Sequence, residues 1–324
     1  MKSARYTLGL VLFVVVAVFA LVHHRTPPPL QAQETFAPGV HERSFEYDGL
    51  TRTFRLYIPA GYDGTVAFPL VVGLHGGGGN ADHFARGTEM DTAADKYGVI
   101  VVYPEGTGEV ATWNAAHCCG GAYLKNVDDV GFIRALINTL DMSLTLDHNR
   151  IYAAGMSNGG MLTHRLGAEA TDLFAGIGVV AGTIGGQALQ RGEVKTIAEP
   201  GGPLAVMIIH GMQDENVHYE GGRTNVPPGS LRSDLSVADS AAFWVARNNC
   251  DLVPETMITD AGMVITDTYA CNVPGSAVTV ISIVDGTHDW PGSSRAFDFL
   301  PQSTQYISAT ETLFEFFLAH PRSG

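Results

Sequence analysis

The run Ile151-Tyr152-Ala153-Ala154-Gly155-Met156-Ser157-Asn158-Gly159-Gly160-Met161-Leu162 decides the fold. Ile151–Ala154 is continuously apolar, as a strand buried on both faces would be. Asn158–Ala170 has the length and spacing of a helix. The pattern G-x-S-x-G lies between them. With 38 glycines in 324 residues the bare pattern is weak, so the strand before it and the helix after it carry the argument. A strand-to-helix elbow forces its serine into a strained backbone conformation. Flanking glycines leave room for the sharp turn, and the hydroxyl then stands at a helix start, where developing negative charge is favoured. Ser157 is therefore the candidate nucleophile. The competing reading is a glycine-rich turn whose serine only caps a helix.

Outward from this elbow, strands and helices alternate. Ser44–Tyr47 and Thr51–Ile58 flank Asp48-Gly49, the signature of a tight hairpin. Leu70–Leu74 and Val99–Tyr103 are short apolar runs with a helical stretch, Ala81–Tyr97, between them. Val127–Leu144 repeats apolar residues at helical spacing, with Asp128 and Asp129 at its N-terminus. Further strands are predicted at Ile177–Val180, Leu204–Ile209 and Val278–Val284, and amphipathic helices at Val237–Arg247 and Thr304–Leu318. This alternation predicts a mostly parallel central sheet with helices on both faces, and the G-x-S-x-G elbow within it points to the α/β-hydrolase fold. One such domain is expected over residues 36–324, with no internal repeat.

Three further segments supply chemistry. His75-Gly76-Gly77-Gly78-Gly79-Asn80 follows the strand Leu70–Leu74, where a glycine-rich loop can present a backbone N–H to an oxyanion. Gly77 is the first candidate donor and Gly76 the next. The second donor is the N–H of Asn158. A phosphate loop would need a Gly-Lys-Ser/Thr ending, which is absent. Asp214 follows the strand Leu204–Ile209, and His288 follows Val278–Val284, in the order serine, acid, histidine. Strand ends along one edge of a parallel sheet bring such groups together. Glu215 and Asp285 are the alternatives to Asp214. His75 is expected to brace its loop, and His83, His148 and His164 to lie at the surface. In this scheme His288 deprotonates Ser157, Asp214 orients the imidazole, and no metal or organic cofactor is required.

Lys+Arg number 19 against Asp+Glu 33, a net charge of −14. That field repels phosphate backbones and argues against nucleic-acid partners. Lys2 and Arg5 precede an apolar run from Tyr6 to Val22, and the prolines 27–29 follow. Residues 1–35 therefore read as a secretory signal with a linker, or as an uncleaved membrane anchor. Either one exports the remainder, to a secreted or periplasmic location. Four cysteines suit an oxidising compartment. Cys250 and Cys271 flank a short predicted hairpin and are the preferred disulfide. Cys118 and Cys119 form either a vicinal bridge or two thiols. A metal site at His117-Cys118-Cys119 is disfavoured, because consecutive ligands do not easily share one tetrahedral ion.

Leu74–Asn80, Trp113-Asn114-Ala115-Ala116-His117-Cys118-Cys119-Gly120, Val127–Phe132, Gly155–Gly160 and Gly286–Gly292 resemble the polyhydroxybutyrate depolymerase family of esterases, which takes in feruloyl and acetyl-xylan esterase-like members. The resemblance spans residues 40–320. It implies a secreted serine ester hydrolase with Ser157, Asp214 and His288 as its triad, acting on hydroxybutyrate-type polyester or oligomers. Feruloyl or acetyl-xylan esters are the alternative substrates. A peptidase, or a silent binding protein on the same fold, is a more distant reading. Many members of the family carry cysteine where this chain has Gly77. Trp113 and Trp290 are candidate substrate-facing aromatics, with core packing as the alternative.

Overall fold

Period-two alternation of apolar side chains assigns each strand residue to one of two faces of the central sheet. The computed structural model describes residues 36–188, 192–224, 232–293 and 303–322. The leader or anchor expected over residues 1–35 lies outside the described residues.

The chain begins with a hairpin of β1 (Gly39–Tyr47) and β2 (Leu50–Ile58), closed at Asp48-Gly49 with both turn residues at positive φ. Then come β3 (Phe68–Leu74), α1 (Ala81–Thr88), α2 (Met90–Tyr97), β4 (Ile100–Pro104), α3 (Gly120–Leu124) and α4 (Asp129–Asp141). The elbow is formed by β5 (Leu146–Met156) and α5 (Asn158–Glu169), followed by β6 (Gly176–Val180), β7 (Gly185–Gln187), β8 (Lys195–Thr196) and β9 (Ala205–Gly211). The remaining elements are β10 (Gly222–Arg223), β11 (Ser233–Asp234), α6 (Val237–Arg247), β12 (Glu255–Thr259), β13 (Val264–Tyr269), β14 (Ala277–Ile283) and α7 (Ala309–Ala319).

The main sheet runs β1-β2-β4-β3-β5-β6-β9-β14-β13-β12. Its centre, from β4 to β14, is parallel, and antiparallel strands flank it on both sides. The central strands are buried nearly throughout, whereas β1 alternates and β12 is exposed along its length. This is the division expected of strands covered on two faces and strands at an edge. On one face Val72, Ala153, Ile177, Val206 and Val278 pack with Ile133, Leu136 and Ile137 of α4, Leu162 and Leu166 of α5, and Trp244 of α6. On the other, Val71, Tyr152, Ala154 and Met207 pack with Phe84 of α1, Met90 of α2, and Leu313 and Phe317 of α7. Each fully buried large side chain stabilises by about 1.5–3 kcal/mol.

Two helices differ from expectation. The stretch Ala81–Tyr97 breaks at Glu89, which adopts φ 55°. The break re-aims α2 so that Asp91 meets Arg55 at 2.6 Å and Asp95 accepts from Tyr57 Oη at 2.8 Å and from Ala60 N. Those long-range polar bonds outweigh the helical continuity that local propensity favours. The last helix starts at Ala309 rather than Thr304, capped by Ser308. The small sheet β10-β11-β7-β8 and the short α3 carry too little periodicity to be legible in sequence.

Candidate active site

Ser157 sits between β5 and α5 with φ 55° and ψ −122°. A non-glycine residue held there costs about 1–3 kcal/mol, so its surroundings must enforce it. Two backbone bonds do: Ser157 N donates to Val180 O at 2.9 Å, and Met161 N donates to Ser157 O at 2.8 Å. Glycine at 159 is obligatory for the close approach of α5 to β3. A Cβ there would lie 2.5 Å from His75 O and nearer still to Leu74 O.

The cradle loop is fixed from behind. His75 is fully buried, and its Nε2 accepts from Gly106 N at 3.0 Å. Nδ1 therefore carries the proton and donates to Gly76 O at 2.7 Å. His75 braces the loop, as expected. Gly78 N donates to Ala111 O at 2.7 Å. A Cβ on Gly76 would sit 3.4 Å from Ser157 Cβ, and one on Gly77 3.6 Å from Asn158 Cβ, so cradle and elbow lie side by side. Among the described residues the N–H groups of Gly77 and Asn158 have no hydrogen-bond partner.

Asn158 also works through its side chain. Its Oδ1 accepts from Trp113 N at 2.8 Å and its Nδ2 donates to Trp113 O at 3.0 Å. This pair of bonds ties the loop before α3 to the elbow. From the far side Asp129 accepts from Asn114 N at 2.8 Å and from Arg52 at 2.9 Å, with Arg52 stacked 3.6 Å over Phe132. Burial pushes the Asp129 carboxyl up. Read from sequence as a helix-start acid only, Asp129 is in fact a buried anchor for this loop.

The acid and the imidazole meet. His288 Nδ1 lies 2.8 Å from Asp214 Oδ2, and both residues are buried. Asp214 Oδ1 accepts from Asn216 N at 2.8 Å and Val217 N at 2.9 Å. Burial works to raise the Asp214 carboxyl, but hydrogen bonds from His210 and His288, and their charge, hold it below the ordinary aspartate value. It is poised as an anion, so Nδ1–H of His288 is the donor, which in the neutral tautomer leaves Nε2 as the bare nitrogen. The alternatives fall away: Glu215 is exposed, and Asp285 accepts from Tyr306 Oη at 2.8 Å. Ser157, Asp214 and His288 follow β5, β9 and β14, with β6 lying between β5 and β9 and β14 beside β9. Gln213 N donates to Gly286 O at 2.8 Å, joining the acid and histidine loops. Among the described residues no hydrogen bond joins Ser157 Oγ to His288; such contacts often tighten only when substrate binds.

Other expectations are corrected. Trp113 and Trp290, at 0% and 1% exposure, present no face to a substrate. Their indole N–H groups are spent inside, Trp113 on His75 O at 2.9 Å and Trp290 on Thr310 Oγ1 at 3.0 Å. Trp113 instead supports the cradle, and Trp290 packs edge-on to Phe84. His164 is fully buried rather than at the surface, accepting from Trp244 Nε1 at 3.0 Å. Cys118 is joined to Cys119 and Cys250 to Cys271, the latter pair bracketing the β12–β13 hairpin. His210 was missed; the signal was its place at the end of a buried strand, four residues before the acid.

Fold and site together define an α/β-hydrolase. The profile of the family described as Esterase PHB depolymerase matches residues 52–226. The chain is 30% identical over 289 residues to NocK of Nocardia uniformis subsp. tsuyamanensis, a protein that carries the name esterase; the match covers 83% of this chain and 80% of that one. It is 28% identical over 246 residues to feruloyl esterase B of Piromyces equi, covering 75% of this chain and 44% of the other. The acetyl xylan esterase from Aspergillus awamori shares the fold with a TM-score of 0.56 at 16% identity, over 76% of this chain and 94% of that one. The chain belongs to the PHB depolymerase family of esterases and is a carboxylic-ester hydrolase.

Proposed function

We propose that this protein is an exported serine esterase working through an acyl-enzyme at Ser157. The observation that carries the reading is the His288–Asp214 pair at 2.8 Å, at the same sheet edge as a serine held at φ 55°. His288 Nε2 takes the Ser157 proton as Oγ attacks the ester carbonyl, and Asp214 stabilises the imidazolium. The oxyanion is received by the N–H groups of Gly77 and Asn158. The imidazolium returns the proton to the departing alcohol. Water, deprotonated by the same nitrogen, then releases the acid. Export rests on the charged-then-apolar N-terminus and accords with two disulfides. The catalytic domain is assigned to residues 36–324.

The substrate assigned is a hydroxybutyrate-type polyester or its oligomers. A feruloyl or acetyl-xylan ester is the second reading, supported by the names of the Piromyces and Aspergillus proteins. Purified protein is assayed on hydroxybutyrate oligomers, methyl ferulate, acetylated xylan, p-nitrophenyl butyrate and a peptide amide. Ser157→Ala is expected to abolish turnover on all esters while the protein stays folded, and a fluorophosphonate is expected to label wild type at Ser157. Retained turnover by that variant removes Ser157 from the mechanism. Cleavage of the amide in preference to the esters makes the protein a peptidase.

A further inference from the structure

His210 is the penultimate residue of β9, and its imidazole shares a carboxylate with His288. His210 Nε2 lies 2.8 Å from Val217 O and 3.2 Å from Asp214 Oδ2. A carbonyl oxygen only accepts, so Nε2 carries the proton and divides it between the two oxygens. In the neutral ring Nδ1 is then the bare nitrogen, buried with no partner among the described residues. The side chains of His210 and Asp214 are fully shielded from solvent. Asp214 Oδ2 thus faces two imidazoles at once, while Oδ1 is filled by the two backbone N–H groups of its own turn.

We propose that His210 is a positioning residue for the reaction: its Nε2–H pins Asp214 to the turn at Val217 and sets how much of the carboxylate's charge reaches His288. The proposal rests on the triad reading above. An ionised acceptor divides its charge among its donors, and in a shielded site each donor counts for more than in water. With His210 in place Oδ2 is held on the line to His288 Nδ1, and its pull on the imidazolium is moderated. Without it the carboxylate is less well oriented, and His288 receives more of its charge.

The charged and titratable surroundings are defined. From α5, His164 lies within electrostatic reach of His210 and of His117, which belongs to the loop before α3. His164 accepts from Trp244 at Nδ1, so its Nε2 bears the proton, and that atom is buried with no partner among the described residues. Tyr219 stands edge-on to His210 at 5.9 Å with its hydroxyl on Ser282. Arg232 donates to Asn216 O at 2.9 Å and to Asp234 at 2.9 Å, and it touches both sulfurs of the Cys118–Cys119 bridge. Beyond His288, Asp289 feels the charge of His288, Asp214 and Asp285, and burial lifts its carboxyl to about 6.

The test is the pH profile of kcat/KM on p-nitrophenyl butyrate for His210→Leu, His210→Gln and Asp289→Asn. Leucine fills the volume and removes the donor; glutamine restores an N–H near the Nε2 position. His210→Leu is expected to move the acidic limb up by about one pH unit and to lower kcat about tenfold, with KM unchanged. His210→Gln is expected to return the limb to the wild-type position. A purely structural role would lower the melting temperature and leave the limb in place; an unmoved limb in folded His210→Leu overturns the proposal. Should that variant not fold, His210→Asn, whose amide stops short of Asp214, is expected to shift the limb upward where His210→Gln does not. Equal limbs in those two overturn it as well. Asp289→Asn is expected to keep the limb; losing it there assigns the limb to Asp289 and overturns the proposal. Failure of wild type to label at Ser157 overturns the triad reading itself, a result distinct from labelling with an unmoved His210→Leu limb.

Discussion

Gly159→Ala tests the geometry on which the site depends. A Cβ at 159 would stand 2.5 Å from His75 O and closer to Leu74 O. Both are backbone atoms, so no rotamer change relieves the overlap. Ordinary contact needs about 1 Å more, and the start of α5 must therefore move away from the end of β3 by about that distance. Those two segments carry Asn158 and the cradle, whose facing positions are 3.6 Å apart. A misplacement of about 1 Å costs on the order of 100-fold in rate. Overpacking of this kind costs about 1–3 kcal/mol, or a melting-temperature drop of about 5 °C for a domain of this size. Gly77→Ala is the control. Its Cβ would meet Asn158 Cβ at 3.6 Å and Thr112 Cγ2 at 3.8 Å, ordinary contacts. It is expected to keep kcat/KM within about threefold of wild type, the effect of a change that breaks no strong interaction. Hydrolysis of p-nitrophenyl butyrate and calorimetry read both variants. Wild-type rate and melting temperature in Gly159→Ala would refute the close-approach argument.

Three more outcomes are expected. Burial, with His117 and His210 nearby, depresses His164 to about 3, so the unfolded chain binds its proton from pH 6.5 downward while the folded one resists; this contribution to stability is complete above pH 6.5 and is lost as pH falls to about 3, several kcal/mol in all. His164→Gln should narrow the gap in urea stability between pH 7 and pH 4, and an unchanged gap counts against the assignment. Asp289 has the opposite sign: its carboxyl, lifted by burial to about 6, costs stability as pH rises from 4 through 6. Asp289→Asn, which keeps an acceptor for Thr304 N, should gain up to about 3 kcal/mol at pH 8 and almost nothing at pH 3.5. Replacing both Cys250 and Cys271 by serine should cost about 3 kcal/mol in denaturant stability from loop-closure entropy, and a loss near zero would show that the packing at the base of the β12–β13 hairpin suffices.

How much of the site was legible follows from what each residue does. Ser157, Asp214 and His288 could be placed because each follows an apolar strand, and parallel strands bring their C-terminal ends to one edge. The choice of Asp214 over Glu215 and Asp285 could not be made from spacing alone. In the structure Asp214 is buried and lies 2.8 Å from His288, while Asp285 turns to Tyr306. The Asp129 carboxylate and the Asn158 side chain were not legible as site residues, because their partners lie 15 and 45 residues away and depend on how loops fold back. Trp113 and Trp290 show the same limit: an indole suits an apolar cleft and an apolar core equally well, and only the path of the surrounding loops put both inside.

By itself the sequence determined the alternation of strands and helices, the parallel sheet, the elbow at Ser157 and the order of acid and base. These follow from side-chain period and glycine placement, which are local. The tertiary structure alone decided which carboxylate turns toward His288, that His210 joins it, where α2 bends, and which aromatic and histidine side chains are sealed from water. Those outcomes depend on burial and on hydrogen bonds between distant segments, and such terms take a value only when the whole chain is packed.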